Sequence, residues 1–268
     1  PGIRIACLFL ASVSLALTVS AAPDAQAPIA ERRDAAAAEA ARLLPQMTLE
    51  EKLLQLLAYR PNGVPRLGIP NLQAGEALHG AVSDGCTSFP QSIAMAATFD
   101  PELMKRFGQV ASIEYRALGI ATALSPQIDL ASEPRWSRFD GTMGEDPGLA
   151  TDMARAYVDG FQTSEGEAHI SGGWGYHSVN AMVKHWPGGG PEEGGRDGHY
   201  GYGAYAVYPG NNLEDHLKPF TEGAFRLNGP TERASAVMPY YTISFNRDTS
   251  YGENVGNAYS KFIINDLL

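Results

Sequence analysis

Four short apolar runs in this chain each lead into a cluster of polar residues, and a segment of helical character follows each one. The runs are "LGIPNLQAGEALHG" (67–80), "IATALSPQIDLA" (120–131), "NAMVKHW" (180–186) and "SAVMPYYTIS" (235–244). A strand that starts apolar, ends polar and feeds a helix is the repeating unit of a parallel α/β fold. Chemistry in such folds collects at the carboxyl ends of the strands. The helical segments carry their own punctuation. Asp100 caps and Pro101 opens a helix whose Leu103, Phe107, Val110 and Ala111 recur at helical spacing. Asp146 and Pro147 open another, with Leu149, Met153, Tyr157 and Phe161 on one stripe. "PFTEGAFRL" (219–227) and "NAYSKFIINDLL" (257–268) read as two more. Upstream, "AERRDAAAAEAARLL" (30–44) is helix-forming up to Pro45. Thr48 and Glu51 form a capping box ahead of "TLEEKLLQLL" (48–57).

Four strand–helix units are half of what a closed (β/α)8 barrel needs over about 250 residues. The expected fold is therefore α/β, a partial (β/α)8 TIM-type barrel with parallel strands and surrounding helices, incomplete at the C-terminus. The N-terminus reads differently. "IRIACLFLASVSLALTVSAAPDAQA" has one Arg, then an apolar run, then small residues, which is the pattern of a secretory signal peptide. The expected organisation is a signal peptide over 1–21, an Ala/Pro-rich linker over 22–30 and the N-terminal part of a barrel domain over 31–268. The protein would then be secreted or periplasmic, with no membrane contact after cleavage. Cys7 would leave with the signal and Cys86 would stand alone, so no internal disulfide is expected.

A net charge of −10 argues against nucleic acid as a partner, because phosphate binding needs clustered Lys and Arg. "PGGGPEEGG" is not followed by Gly-Lys-Ser/Thr, so it is no nucleotide-binding P-loop. No Cys/His pair has structural-zinc spacing, and no cofactor or metal is expected.

What remains is the content of the strand ends. The first offers Glu76 and His79; the second Asp129, Glu133, Arg135, Trp136 and Arg138; the third Lys184 and His185, with Arg196 and Asp197 beyond the glycine loop; the fourth Tyr240 and Tyr241. Carboxylates, cations and aromatic rings together suit a polyhydroxylated ligand. Carboxylates only accept hydrogen bonds and Lys and Arg only donate, so such a set can sort hydroxyls by position. Each residue alone has a plainer reading, as a surface pair, a structural ion pair or a core aromatic.

The segments "MTLEEKLLQL", "GEALHGAV", "FPQSIAMAATFDPELMKRFG", "LSPQIDLASEPRWSR", "GEDPGLATDMARAYVDGFQ", "VKHWPGGG" and "VMPYYTIS" stand in this order. As a set they resemble the N-terminal catalytic barrel of glycoside hydrolase family 3, the β-glucosidase and β-xylosidase family, from about residue 40 onward. The resemblance implies a terminal-sugar subsite made of Glu76, Arg138, Lys184, His185, Arg196 and Tyr241, with the glycine loop bringing Arg196 back toward the Lys-His pair. Ser137 stands where the family's "PRWGR"-like motif has Gly, and Glu76 where many glucosidases of the family carry Asp. The resemblance also implies a retaining exo-β-glycosidase acting on terminal β-glucosyl or β-xylosyl residues of a β-linked oligosaccharide or glycoside. The family's nucleophile lies in an "SDW"-like motif and its acid/base Glu usually in a following domain. Neither motif occurs in this sequence, so no catalytic residue is assigned here and both carboxylates are expected beyond Leu268. The competing expectation is a non-catalytic carbohydrate-binding protein of the same fold.

Overall fold

The computed structural model describes residues 29–55, 64–69 and 74–268. The segment read as a signal peptide lies outside the described residues. Helix α1 spans Ile29–Leu43, so the last two positions read as linker are already helical. Helix α2, Leu49–Gln55, begins at the expected capping box. The Thr48 backbone N–H donates to Glu51 Oε2 at 2.7 Å, and Glu51 N–H donates to Thr48 Oγ1 at 3.2 Å.

Four parallel strands form the central sheet in the order β1 (Ala74–Gly75), β2 (Thr122–Ala123), β3 (Asn180–Trp186), β4 (Ala236–Pro239). Thr122 pairs with Ala74 on one side and Asn180 on the other, and Val183 pairs with Val237. Sequential order with every strand parallel is the start of a barrel wall. β3 is the longest strand and its inner residues Ala181 and Val183 are fully buried, as parallel strands covered on both faces require.

Two long helices lie between these strands in the chain. Helix α3, Pro101–Ala117, is capped by Asp100, whose side chain accepts from Leu103 N–H at 2.9 Å. Helix α4, Pro147–Gln162, is capped in the same way by Asp146, from Leu149 N–H at 2.7 Å. Met153, Tyr157 and Phe161 of α4 are buried as expected, with Leu149 at the edge. On α3 the buried stripe is rotated from the expected one. Met104, Phe107, Ala111 and Tyr115 face the core, while Val110 is 40% exposed. The cause is a close approach of the two helices. A Cβ on Gly108 would meet the Tyr157 carbonyl at 2.7 Å, and one on Gly160 would collide with the Lys105 carbonyl. The side of α3 that carries Gly108 therefore faces α4.

Three further expectations change in detail. The helix read over 219–227 is a short α-helix, α5 (Leu213–Lys218), continued by a π-helical turn over Pro219–Ala224. The segment read as one helix over 257–268 is a 3-10 turn, Asn257–Tyr259, and a π-helical turn, Phe262–Asp266. Here the Ile263 carbonyl accepts from the Trp186 indole at 2.8 Å, so it serves the tertiary structure. The run 235–244 is two strands. After β4 the chain breaks away, and Ile243–Ser244 pairs in parallel with Tyr205–Ala206 in a separate small sheet.

Candidate active site

The strand ends converge on Lys184 and His185, the last polar pair of β3. The Lys184–His185 and Trp186–Pro187 peptides are cis, and the register with β4 shifts between Lys184 and Trp186. Chain leaving β2 runs beside them: Gln127 bridges to Lys184, and Ile128 N–H donates to the Lys184 carbonyl at 2.8 Å. That contact carries the next polar residue, Asp129, underneath His185.

Lys184 is a deeply buried cation. Its side chain is 1% exposed and its Nζ lies 2.6 Å from Glu76 Oε2, whose own side chain is 52% exposed. Burial pushes the Lys184 pKa down, and the Glu76 carboxylate partly offsets that. The pair is a cation held at the bottom of the site with its counter-charge at the rim.

His185 is held from both sides. Its Nδ1 is 2.7 Å from Asp129 Oδ2, and its Nε2 is 2.9 Å from Arg138 Nη1. Burial lowers the His185 pKa, opposed by Asp129 and reinforced by the cations Arg138 and Lys184. Asp129 is fully buried. Burial alone would raise its pKa, but the interactions with His185 and the Gly189 and His185 backbone N–H groups hold it below the ordinary carboxylate value. Those two N–H groups reach Asp129 Oδ1 at 2.5 Å and 3.0 Å.

The walls are aromatic and acidic. The Tyr240 ring lies 4.5 Å from His185 and 6.0 Å from Trp136, both measured between ring centroids. Trp136 is buried, and its indole donates to Asp197 Oδ2 at 3.0 Å, which makes it a core residue with a polar tether. Asp197 also accepts from His199, through the backbone at 2.9 Å and the ring Nδ1 at 2.5 Å. Burial works against that carboxylate, yet these donors keep its pKa below the usual value.

The glycine loop is packed tightly, with residues 187–192 buried. A Cβ on Gly189 would press on Asp129 and Tyr240 at 3.2 Å, and one on Gly190 would run into the Leu130 carbonyl. Gly188 adopts φ +137° against His216, a conformation that favours glycine. Behind the loop lies Glu192, 1% exposed and beside the Thr242 hydroxyl. Burial and then the negative charges of Asp129 and Asp197 push its pKa up to about 9. A cavity of about 370 Å³ lies beside it, lined by Ser132, Arg135, Pro191, Val207, Asn212 and His216 among others; none of Glu76, Arg138, Lys184 and His185 lines it.

Of the six expected sugar-site residues, the structure joins four by direct contact: Glu76 to Lys184, and Arg138 to His185. Arg196 and Tyr241 are not drawn in. Arg196 is 56% exposed and pairs with Glu193 at 3.4 Å. The loop turns at Gly194 and Gly195 with φ +64° and +73°, and Gly195 seats on the Arg135 backbone rather than over Lys184. Tyr241 is 61% exposed and packs edge-on against His199. Its neighbour Tyr240 takes the inner place. Asp129 and Tyr240 stood among the strand-end residues in the sequence without a role, and His199 was not singled out. Among the described residues no group of three or more His, Cys, Asp or Glu could hold a metal ion.

Parallel strands, a buried Lys-His pair after the third and a packed glycine loop now meet a matching family model. The description "Glycosyl hydrolase family 3 N terminal domain" matches residues 42–239. The chain belongs to glycoside hydrolase family 3. It is 42% identical over 235 residues to the periplasmic β-glucosidase/β-xylosidase of Dickeya chrysanthemi, covering 83% of this chain and 33% of that protein. It is 41% identical over 211 residues to β-glucosidase C of Emericella nidulans, covering 76% of this chain and 32% of that protein. The chain thus spans about a third of the length of these curated relatives. Among solved structures, a β-glucosidase from Erythrobacter marinus superposes with a TM-score of 0.61 at 29% identity, over 75% of this chain and 24% of that one. The four parallel strands are thus part of a family-3 TIM-type barrel, and the sheet seen here is not closed.

Proposed function

We propose that this chain forms the sugar-gripping part of an exported β-glycosidase that removes terminal β-glucosyl or β-xylosyl residues with retention. The observation that carries this reading is the buried cluster in which Lys184 meets Glu76 and His185 meets both Arg138 and Asp129. A terminal sugar presents neighbouring hydroxyls on a rigid ring. Lys184 donates to one of them, Glu76 accepts from one, and Arg138 offers further N–H groups beside them. As the glycosidic bond breaks, positive charge develops on the ring and the hydroxyls become more acidic. Hydrogen bonds to fixed charged partners then strengthen, and binding energy appears in the transition state.

Three acids of the cluster hold charged or backbone partners. Asp129 and Asp197 are saturated by donors, and Glu76 is committed to Lys184. Retention needs two carboxyl groups, a nucleophile and an acid/base, and the family resemblance puts the first in an "SDW"-like motif that this sequence does not contain and the second in a following domain. Glu76 is one methylene longer than Asp and would crowd the hydroxymethyl group of glucose, so the site favours xylose modestly over what an Asp would give. The apolar N-terminal segment would direct export, as the word "periplasmic" in the name of the Dickeya relative suggests for that protein.

Hydrolysis of nitrophenyl β-glucoside and β-xyloside by the full-length protein, with Lys184→Ala beside it, tests this reading. Turnover that falls in the variant supports it. Sugar binding without any turnover of either glycoside would favour the non-catalytic carbohydrate-binding protein instead.

A further inference from the structure

The hydrogen bonds around His185 settle which ring nitrogen carries the proton. Arg138 Nη1 is 2.9 Å from His185 Nε2, and a guanidinium can only donate. Nε2 must therefore accept with its lone pair. A neutral imidazole that accepts at Nε2 carries its proton at Nδ1, and Nδ1 faces the Asp129 Oδ2 acceptor at 2.7 Å. Both neighbours demand the same tautomer. A second proton on the ring would aim Nε2–H at the Arg138 cation.

Asp129 divides its two oxygens between two tasks. Oδ1 takes the backbone N–H groups of His185 and Gly189, tying the end of β3 to the glycine loop. Oδ2 takes the His185 ring. The carboxylate is fully buried, so nothing from solvent competes for either. Tyr240 closes the ring face at 4.5 Å, leaving the imidazole little freedom to turn over.

We propose that Asp129 is a positioning residue that holds His185 as the neutral Nδ1–H tautomer, so that Nε2 is a hydrogen-bond acceptor at the sugar site. This deepens the proposed function and rests on it for its kinetic consequence. Nε2 accepts from Arg138 in the sugar-free site, which fixes the guanidinium plane before substrate arrives. Nε2 has a single lone pair, so a sugar hydroxyl that meets it has to displace the guanidinium and donate in its place, leaving its own lone pairs for Lys184 or Arg138. The Lys-His pair is thus a donor beside an acceptor, and a hydroxyl, which does both, fits between them.

Asp129→Asn separates the two tasks. The amide oxygen can keep the two backbone N–H groups, while its NH2 replaces Oδ2 and presents a donor to Nδ1. That inverts the tautomer and sets Nε2–H against Arg138. In the full-length enzyme, Asp129→Asn should lower kcat/KM on nitrophenyl β-glycosides by at least about 10-fold. Placed in a His185→Ala background, the same change should alter it by no more than about 2-fold, because the ring through which Asp129 acts is gone. Equal losses in the two backgrounds would reduce Asp129 to a scaffold for the loop and overturn the proposal.

The second measurement needs no turnover and no variant of Asp129. In 15N-histidine-labelled full-length protein, the His185 signal, assigned by its loss in His185→Gln, should show a protonated Nδ1 and a bare Nε2. A proton on Nε2, in a neutral or a cationic ring, overturns the proposal even if the kinetics agree. A wild type that hydrolyses neither glycoside would defeat the proposed function instead, and the nitrogen spectrum would still decide the tautomer.

Discussion

The two halves of this domain solve burial in opposite ways. Between α3 and α4 the interior is apolar, and glycines let backbones touch: Phe107, Ala111, Met153, Tyr157 and Phe161 fill the space around Gly108 and Gly160. Around the glycine loop the interior is polar. Asp129, Lys184, His185, Glu192, Asp197 and His216 are all buried there. Some of these groups are fully partnered and others not: His216 Nδ1 and the Tyr240 hydroxyl have no partner among the described residues. A buried polar group without a partner costs about 1–3 kcal/mol, so the second region gives up stability that the first supplies. The contrast fits a scaffold optimised for packing and a site optimised for placing charge.

The largest expected effect falls on the site. Lys184→Ala in the full-length enzyme should cost about 2–4 kcal/mol in kcat/KM, with kcat falling as well as KM rising. Steady-state kinetics on nitrophenyl β-glucoside and β-xyloside decides this, and an unchanged kcat/KM would make the pair structural and blur the contrast. A matched pair of glycine changes comes next. Gly160→Ala and Gly190→Ala each push a methyl into a backbone carbonyl and should destabilise by about 1–3 kcal/mol, read by thermal or urea unfolding. Gly160→Ala should leave KM of the folded enzyme alone, while Gly190→Ala should raise it, because Gly190 sits in the loop that Asp129 ties to His185. If both raise KM equally, scaffold and site are not separable.

The effect of Glu192 falls on stability and depends on pH. Its carboxyl, ordinarily titrating near 4.5, is raised to about 9 in the folded state. Between those values the folded protein holds a proton that the unfolded chain has released, so stability falls as pH rises through that window. Glu192→Gln has no proton to lose. The variant should match the wild type near pH 4.5 and become more stable than it toward pH 9, by about 3 kcal/mol at neutral pH. Parallel unfolding curves at every pH would mean that the Glu192 carboxyl is not raised in the folded protein. The smallest effect is on specificity. Glu76→Asp should move the ratio of kcat/KM toward the glucoside by about 1 kcal/mol, the value of one methylene. An unmoved ratio, or one moved toward the xyloside, removes Glu76 as a determinant.

The two halves also differed in how far the sequence revealed them. The helix caps at Asp100 and Asp146 and the capping box at Thr48 depend only on neighbours in the chain, and they form as read. β3 follows from its own apolar run. Val110 misled because helical spacing locates a stripe only to within a residue; the glycine that lets α4 approach selects the buried side. At the site, the Lys-His pair and Arg138 were visible through motifs. Whether Tyr240 or Tyr241 turns inward was not, since neighbours along an extended chain point to opposite sides and pairing sets the choice. Here Tyr240 N–H binds the Trp186 carbonyl at 2.9 Å, a contact 54 positions away in the chain (240 − 186 = 54). Arg196 turned on the handedness of two glycines, which residue identity does not reveal. Asp129 was readable as a strand-end acid, but its partition between backbone and ring exists only once β2 and β3 lie side by side.

Glu76 stands apart from the residues it serves. Lys184, His185 and Asp129 are walled in, and altering any of them disturbs a neighbour, whereas Glu76 meets solvent over half its side chain. A lineage in search of a new substrate could therefore lengthen or shorten the acid at this position, provided that Lys184 keeps its counter-charge. The fold leaves one dial within reach while keeping the gears sealed.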